Sequence, residues 1–172
     1  MAYPIRLTRI FPALLLALLL GLTLSAQAQR DVITFADAKS TLLISILTNT
    51  TWPDEGALDR FVIGLYGEDK ELGSALSRDT AGLEVRGKPV IVAEYPSLAT
   101  ARAAQVLVVS PAENARLAAI AGALRDSQTL LVSDGATDQA NMMVNFTYPS
   151  RTRLAFELNA SNIIGAGLNM SR

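Results

Sequence analysis

The sequence predicts an α/β fold: a three-layer sandwich with a largely parallel mixed sheet and a C-terminal antiparallel hairpin. Three observations carry this. Short apolar runs at Phe61–Tyr66, Gln105–Val109 and Thr129–Ser133 have the length and β-branched content of strands buried on both faces, as a parallel sheet requires. Segments with apolar residues at helical spacing alternate with them. Near the end, Met142–Phe146 and Arg153–Leu158 follow one another across Tyr148-Pro149-Ser150, too close for a crossover helix and therefore antiparallel.

Taken in order, Arg6 and Arg9 precede an apolar run from Ile10 to Leu24, and Ala26 and Ala28 close it with small residues. A basic start, a short apolar core and a small-x-small ending predict a secretory signal over 1–28, cleaved after Ala28. The remaining 29–172 reads as one domain. Residues 1–28 hold two arginines and no acid, so the 144-residue remainder has 13 basic and 16 acidic side chains, a formal charge of −3. No second apolar run is long enough to cross a bilayer, so stable membrane insertion after cleavage is not expected, and the expected address is the periplasm.

From Ile33 to Leu47, Phe35, Ala38, Leu42, Leu43, Ile46 and Leu47 recur at helical spacing, with Asp37, Lys39 and Ser40 assigned to the polar side. This first helix stops before Thr51-Trp52-Pro53, because proline disfavours a helical residue ahead of it. Phe61–Tyr66 is the first strand. Asp69 to Ser77, with Leu72 and Leu76 four apart, suits a short helix, and Lys88–Tyr95 is the second strand after a turn-rich stretch between Gly82 and Gly87. Ser97–Ala103 forms a helix and Gln105–Val109 a strand. Pro111–Leu124 is then a longer helix, with Ser110 as its expected cap. Thr129–Ser133 ends at Asp134-Gly135, the hairpin follows, and Ala160–Gly167 closes the chain as a last short helix.

Composition narrows the chemistry. The chain has no cysteine and no histidine, which removes disulfides, thiolate or imidazole metal sites and any triad with a histidine base. Fifteen basic against sixteen acidic residues leave no basic field for nucleic acid. No Gly-rich phosphate loop or dinucleotide fingerprint follows a strand. No cofactor or metal is expected.

In an open α/β sheet the ligand crevice lies beyond the carboxyl ends of the strands, here Gly67-Glu68-Asp69, Ser110-Pro111-Ala112-Glu113 and Ser133-Asp134-Gly135. Glu68, Asp69, Glu113 and Asp134 are the carboxylates that could meet there, although Asp69 and Glu113 read better as helix-start residues. Ser110 and Ser133 lack a nucleophile elbow, and Lys39, Lys70 and Lys88 read as exposed, so serine–lysine chemistry has no amine to use. Contact candidates are Trp52, Pro53, Glu68, Ser110, Asp134 and Asn145; Trp52 itself reads more readily as a core plug than as an exposed anchor.

The order of these pieces resembles the YfiR-like periplasmic proteins. The residues carrying the resemblance are the first helix leading into Thr51-Trp52-Pro53, Phe61–Gly67 with Leu72 and Leu76 behind it, Val85–Val90, Val106–Ser110, Thr129–Asp134, and Arg153–Asn159 followed by Ala166-Gly167-Leu168. The resemblance implies a noncatalytic exported α/β domain that binds and represses the periplasmic sensor part of an inner-membrane diguanylate cyclase, or serves with a sensor kinase. A small-ligand sensory domain is the alternative. Some members carry cysteines tied to envelope redox state; this chain has Ala104-Gln105 where Cys-His is common, and Ala140-Asn141 where a glycine pair often precedes the methionine. Relatives continue past Gly167-Leu168 into another apolar helix, which implies either a fragment or a chain without that helix. On this reading, Ile163, Ile164 and Leu168 would lie open and favour a homodimer or partner capture. Phe156 is assigned to the core face of its strand.

Overall fold

The computed structural model describes residues 34–171, and the expected signal over 1–28 lies outside the described residues. Helix α1 (Phe35–Asn49) starts at a reciprocal cap: the Asp37 N–H donates to the Thr34 hydroxyl at 3.1 Å, and the Thr34 N–H donates to the Asp37 carboxylate at 2.9 Å. The helix ends where Thr50 and Thr51 form the two-residue strand β1, which pairs antiparallel with β9 (Asn169–Met170).

Seven strands make the main sheet. In chain order they are β2 (Phe61–Tyr66), β3 (Glu84–Val85), β4 (Lys88–Tyr95), β5 (Val106–Val109), β6 (Leu130–Asp134), β7 (Val144–Ser150) and β8 (Arg153–Leu158). Their spatial order is β3-β4-β2-β5-β6-β7-β8, with β4, β2, β5, β6 and β7 mutually parallel and both ends antiparallel. The connecting helices are α2 (Lys70–Asp79), α3 (Leu98–Ala101) and α4 (Leu117–Leu124), with α5 (Ala160–Gly165) after the hairpin.

Alternation along the strands sorts side chains into two cores. Phe61, Ile63 and Leu65 of β2, Val106 and Val108 of β5, Leu130 and Val132 of β6, and Val144 and Phe146 of β7 meet Leu43 and Leu47 of α1 and Leu72 and Leu76 of α2. Tyr66, Leu107, Val109 and Leu131 face the other way, against Ala101 of α3 and Leu117, Ile120 and Leu124 of α4. The result is the expected three-layer α/β sandwich with a mostly parallel sheet.

Several details differ from the sequence reading. Tyr148, Pro149 and Ser150 belong to β7, and the turn falls at Arg151-Thr152; the register shifts between Thr147 and Ser150, and that irregularity accommodates a proline with no N–H to give. The segment after Ser110 opens as a 3-10 helix (Pro111–Arg116) before α4, and the Ser110 hydroxyl makes no capping bond. Phe156 and Leu158 are not core: they are 42% and 47% exposed, because β8 is an edge strand that its covering helix does not reach across. Ile163 and Leu168 are buried, packed into the core with α1; of the expected open trio only Ile164 stands in solvent.

Candidate functional site

The parallel strands run in the doubly wound order 2-1-3-4-5, so the chain reverses direction of winding between β2 and β5. At that point the loop after β2 meets the start of the 3-10 helix. The Ser110 N–H donates to the Tyr66 carbonyl at 2.9 Å. Gly67 adopts φ +84°, and a Cβ there would sit 2.2 Å from the Ser110 hydroxyl oxygen, so only glycine lets the two loops close. The buried Ser110 hydroxyl has no hydrogen-bond partner among the described residues.

Beside this closure, toward β4, lies an open cleft of about 660 Å³ lined by Tyr66, Tyr95, Glu68, Glu94, Glu113 and Arg116, among others. Its charges are largely paired at its rim: Arg116 bonds Glu113 at 2.9 Å and Lys70 bonds Glu68 at 2.9 Å. Glu68 is exposed there, and Asp69, at the foot of the cleft, caps α2 by accepting from the Leu72 N–H at 3.0 Å.

The other grouping lies over the end of β6. The row Leu130, Val132, Asp134 faces α1, so period two carries the Asp134 carboxylate under that helix, 3% exposed. A buried carboxylate needs a partner. Lys39 supplies it: its ammonium donates to Asp134 Oδ2 at 2.8 Å and lies 3.4 Å from Asp69 Oδ2. Tyr148 of β7 donates its hydroxyl to the other Asp134 oxygen, and its ring meets Phe35 edge-on at 5.3 Å. The sequence reading of Lys39 as exposed is therefore overturned, and with it the polar-side assignment of Ser40, which is buried and bonds Asp79 at 2.7 Å. Burial by itself would lower the Lys39 ammonium, but the hydrogen bond and charge of Asp134, with the charge of Asp69, outweigh it and hold it above its ordinary value. Burial first, then the bond to Asp134, pushes the Tyr148 phenol up, so it stays a neutral donor at neutral pH.

The two carboxylates share an ammonium that is held in its charged, non-nucleophilic form. Among the described residues no group of three or more Asp, Glu, His or Cys is placed to hold a metal ion.

The described chain also contains no helix long and apolar enough to cross a membrane. One protein-family model, described as YfiR/HmsC-like, matches residues 36–172. The chain belongs to the YfiR/HmsC-like family. A search of curated proteins found no match.

In this YfiR/HmsC-like chain the six contact candidates divide between the two ends of the sheet. Glu68, Ser110 and Asp134 lie at or just past the carboxyl ends of β2, β5 and β6, and Asn145, the second residue of β7, sits opposite Ser133 near the end of β6; Trp52 and Pro53 lie at the opposite end, where the Trp52 indole N–H donates to the Gln128 carbonyl just before β6, at 2.8 Å. The length of β6 alone separates the two groups by about 16 Å. Trp52 is 5% exposed and stacks obliquely on Phe61 at 5.6 Å, so it is a core plug, while Pro53 is exposed. Asn145 is spent internally: its carbonyl accepts from Ser133 at 2.9 Å and from the Ala136 N–H at 3.0 Å, and its amide donates to the Ala136 carbonyl at 3.0 Å, pinning the turn after β6.

Lys39 and Tyr148 are the members that sequence reasoning missed. Lys39 had a signal: with Ala36, Leu43 and Leu47 it falls on one stripe at helical spacing, the face α1 buries. Tyr148 was missed because the sequence reading placed it in the hairpin turn; as a residue of β7 it continues the Val144, Phe146 row toward α1 and so reaches Asp134.

Proposed function

We propose that this chain is a noncatalytic periplasmic regulator that binds and represses the periplasmic sensor part of an inner-membrane diguanylate cyclase, limiting cyclic-di-GMP and biofilm formation. The family match over residues 36–172 carries this reading. The strand-end chemistry supports it: the carboxylate an acid/base mechanism would use, Asp134, is committed to Lys39 and Tyr148, which leaves the surface as the working part. The contact surface we propose is the rim around that cluster, where Phe35, Glu68 and Tyr148 are exposed. Deleting the gene should raise cyclic-di-GMP and surface attachment, and the purified chain should co-elute with the sensor part of the cyclase. Unchanged cyclic-di-GMP in a strain that expresses the cyclase refutes the reading.

The cleft beside Tyr66 and Tyr95 favours a second reading, a small-ligand sensory domain of a sensor kinase system, because it sits at the place where doubly wound sheets take ligands. Thermal-shift screening against amino acids and envelope metabolites separates the two: a sensory domain shows a specific, saturable rise in Tm, and a module that only binds a protein shows none.

A further inference from the structure

The outer edge of β8 is open. β7 occupies its inner edge, and the Asn159 N–H just beyond β8 donates to the Met143 carbonyl at 2.8 Å, so the odd-numbered residues 155 and 157 turn their backbone groups toward β7. Leu154, Phe156 and Leu158 consequently point their N–H and C=O groups outward, unpaired among the described residues. A six-residue edge with exposed Phe156 and Leu158 is a template for another strand.

Charge decides which strand fits. Arg153 and Glu157 are exposed, lie on one face of β8, and make no ion pair among the described residues. Four residues apart along a strand, they are about 13 Å from each other and cannot pair within one chain. An antiparallel partner must place outward-facing residues opposite outward-facing ones, which allows a two-fold register centred on Ala155. That register sets Arg153 opposite Glu157 of the second copy, twice, and Leu154 opposite Phe156, with the small Ala155 on the axis. Moving the axis to residue 157 would oppose Glu157 to itself.

We infer that a second copy of this chain pairs antiparallel along β8, two-fold symmetric about Ala155 and held in register by two Arg153–Glu157 pairs. The apolar trench between α1 and α5, lined by Ile46, Ile163, Leu168 and Met170, lies on the same face as Phe156 and Leu158, so the joined sheets share one continuous apolar floor. The pairing stands independently of the regulatory reading above.

Sedimentation velocity over a concentration series tests it, with urea midpoints confirming that each variant folds. The wild-type protein should self-associate to a dimer. Arg153→Glu and Glu157→Arg should each weaken the dimer at least about tenfold, since each turns two attractive cross-strand pairs into repulsive ones. An equimolar mixture of the two single variants should form a heterodimer, because every charge then meets its opposite, and R153E/E157R in one chain should restore self-association. A wild-type protein that stays monomeric at about 100 times the concentration of the assay's lower limit overturns the inference. A dimer indifferent to both single changes, or singles that fail to recover on mixing, also overturns it.

Discussion

Replacing Lys39 with methionine removes the cation from beneath α1 while keeping most of its apolar stem. The Asp134 carboxylate, 3% exposed, is then left with only the Tyr148 hydroxyl among the described residues, since Lys39 is the sole cation within 4 Å of it among them. Breaking a buried pair on one side costs about 3–5 kcal/mol; the surviving tyrosine bond places K39M near the lower end, at about 3 kcal/mol. For a domain of this size that is a fall in Tm of roughly 10 °C. Removing both charges in K39M/D134L should recover most of the loss, because a methionine against a leucine demands no partner and Tyr148, 41% exposed as a residue, can turn its hydroxyl to water. The pH dependence has a definite sign. The folded-state Lys39 is raised above 10.5, so its stabilisation is complete below pH 10.5 and declines as pH climbs through the higher folded value. The gap between wild type and K39M should therefore be flat from pH 6 to 9 and narrow only above about 10.5. Urea denaturation across that range is the assay. A K39M loss within about 0.5 kcal/mol at pH 7 would show that the ion pair is not buried as described.

Three further outcomes follow from the same geometry. Gly67→Ala should cost about 1–3 kcal/mol from its positive φ and the contact with Ser110, whereas Ser110→Ala, removing a hydroxyl with no partner among the described residues, should be neutral or stabilising and should recover part of the G67A loss; additive effects in that cycle would disprove the contact. Asp37→Asn should weaken the start of α1, because the Thr34 backbone bond foremost, with Arg78, holds the Asp37 carboxyl down at about 2; the wild-type advantage should persist above pH 3.8 and vanish as pH falls through about 2, which urea midpoints at pH 2 to 6 would reveal. Trp52→Ala should cost about 3–5 kcal/mol, and native tryptophan fluorescence should be blue-shifted relative to the unfolded chain; native emission already at the solvent-exposed wavelength would contradict the burial of its ring.

The layers of this protein were legible because they depend on local patterns. Runs such as Phe61–Tyr66 and Val106–Val109 are apolar on both faces, and only a strand covered on both sides satisfies that composition. The glycine after β2 and the serine after β5 were likewise placed at the strand ends by pattern alone. The first helix shows where legibility stops. Apolar residues surround its N-terminal half, so Phe35 and Ala38 compete with Ala36 for the buried stripe, and the choice turns on what lies opposite: a buried Asp134, which rewards a lysine in the stripe, and Tyr148, which gives Phe35 an aromatic neighbour at the rim. The exposure of Phe156 has the same origin, since the strand's alternation is local but the reach of the helix above it is not.

Sequence alone thus determined the order of the main strands and helices, the sandwich, the family and the exclusion of thiol and imidazole chemistry, all of which follow from residue types and short-range patterns, whereas the two-residue strands β1, β3 and β9 came only with the structure. Tertiary structure decided that Lys39, Asp69, Asp134 and Tyr148 form one cluster although 109 positions separate its ends, that Trp52 lies at the other end of the sheet, and that β8 is an open edge. The physical reason is that charge burial and edge exposure depend on which surfaces meet, and segments remote along the chain supply those surfaces.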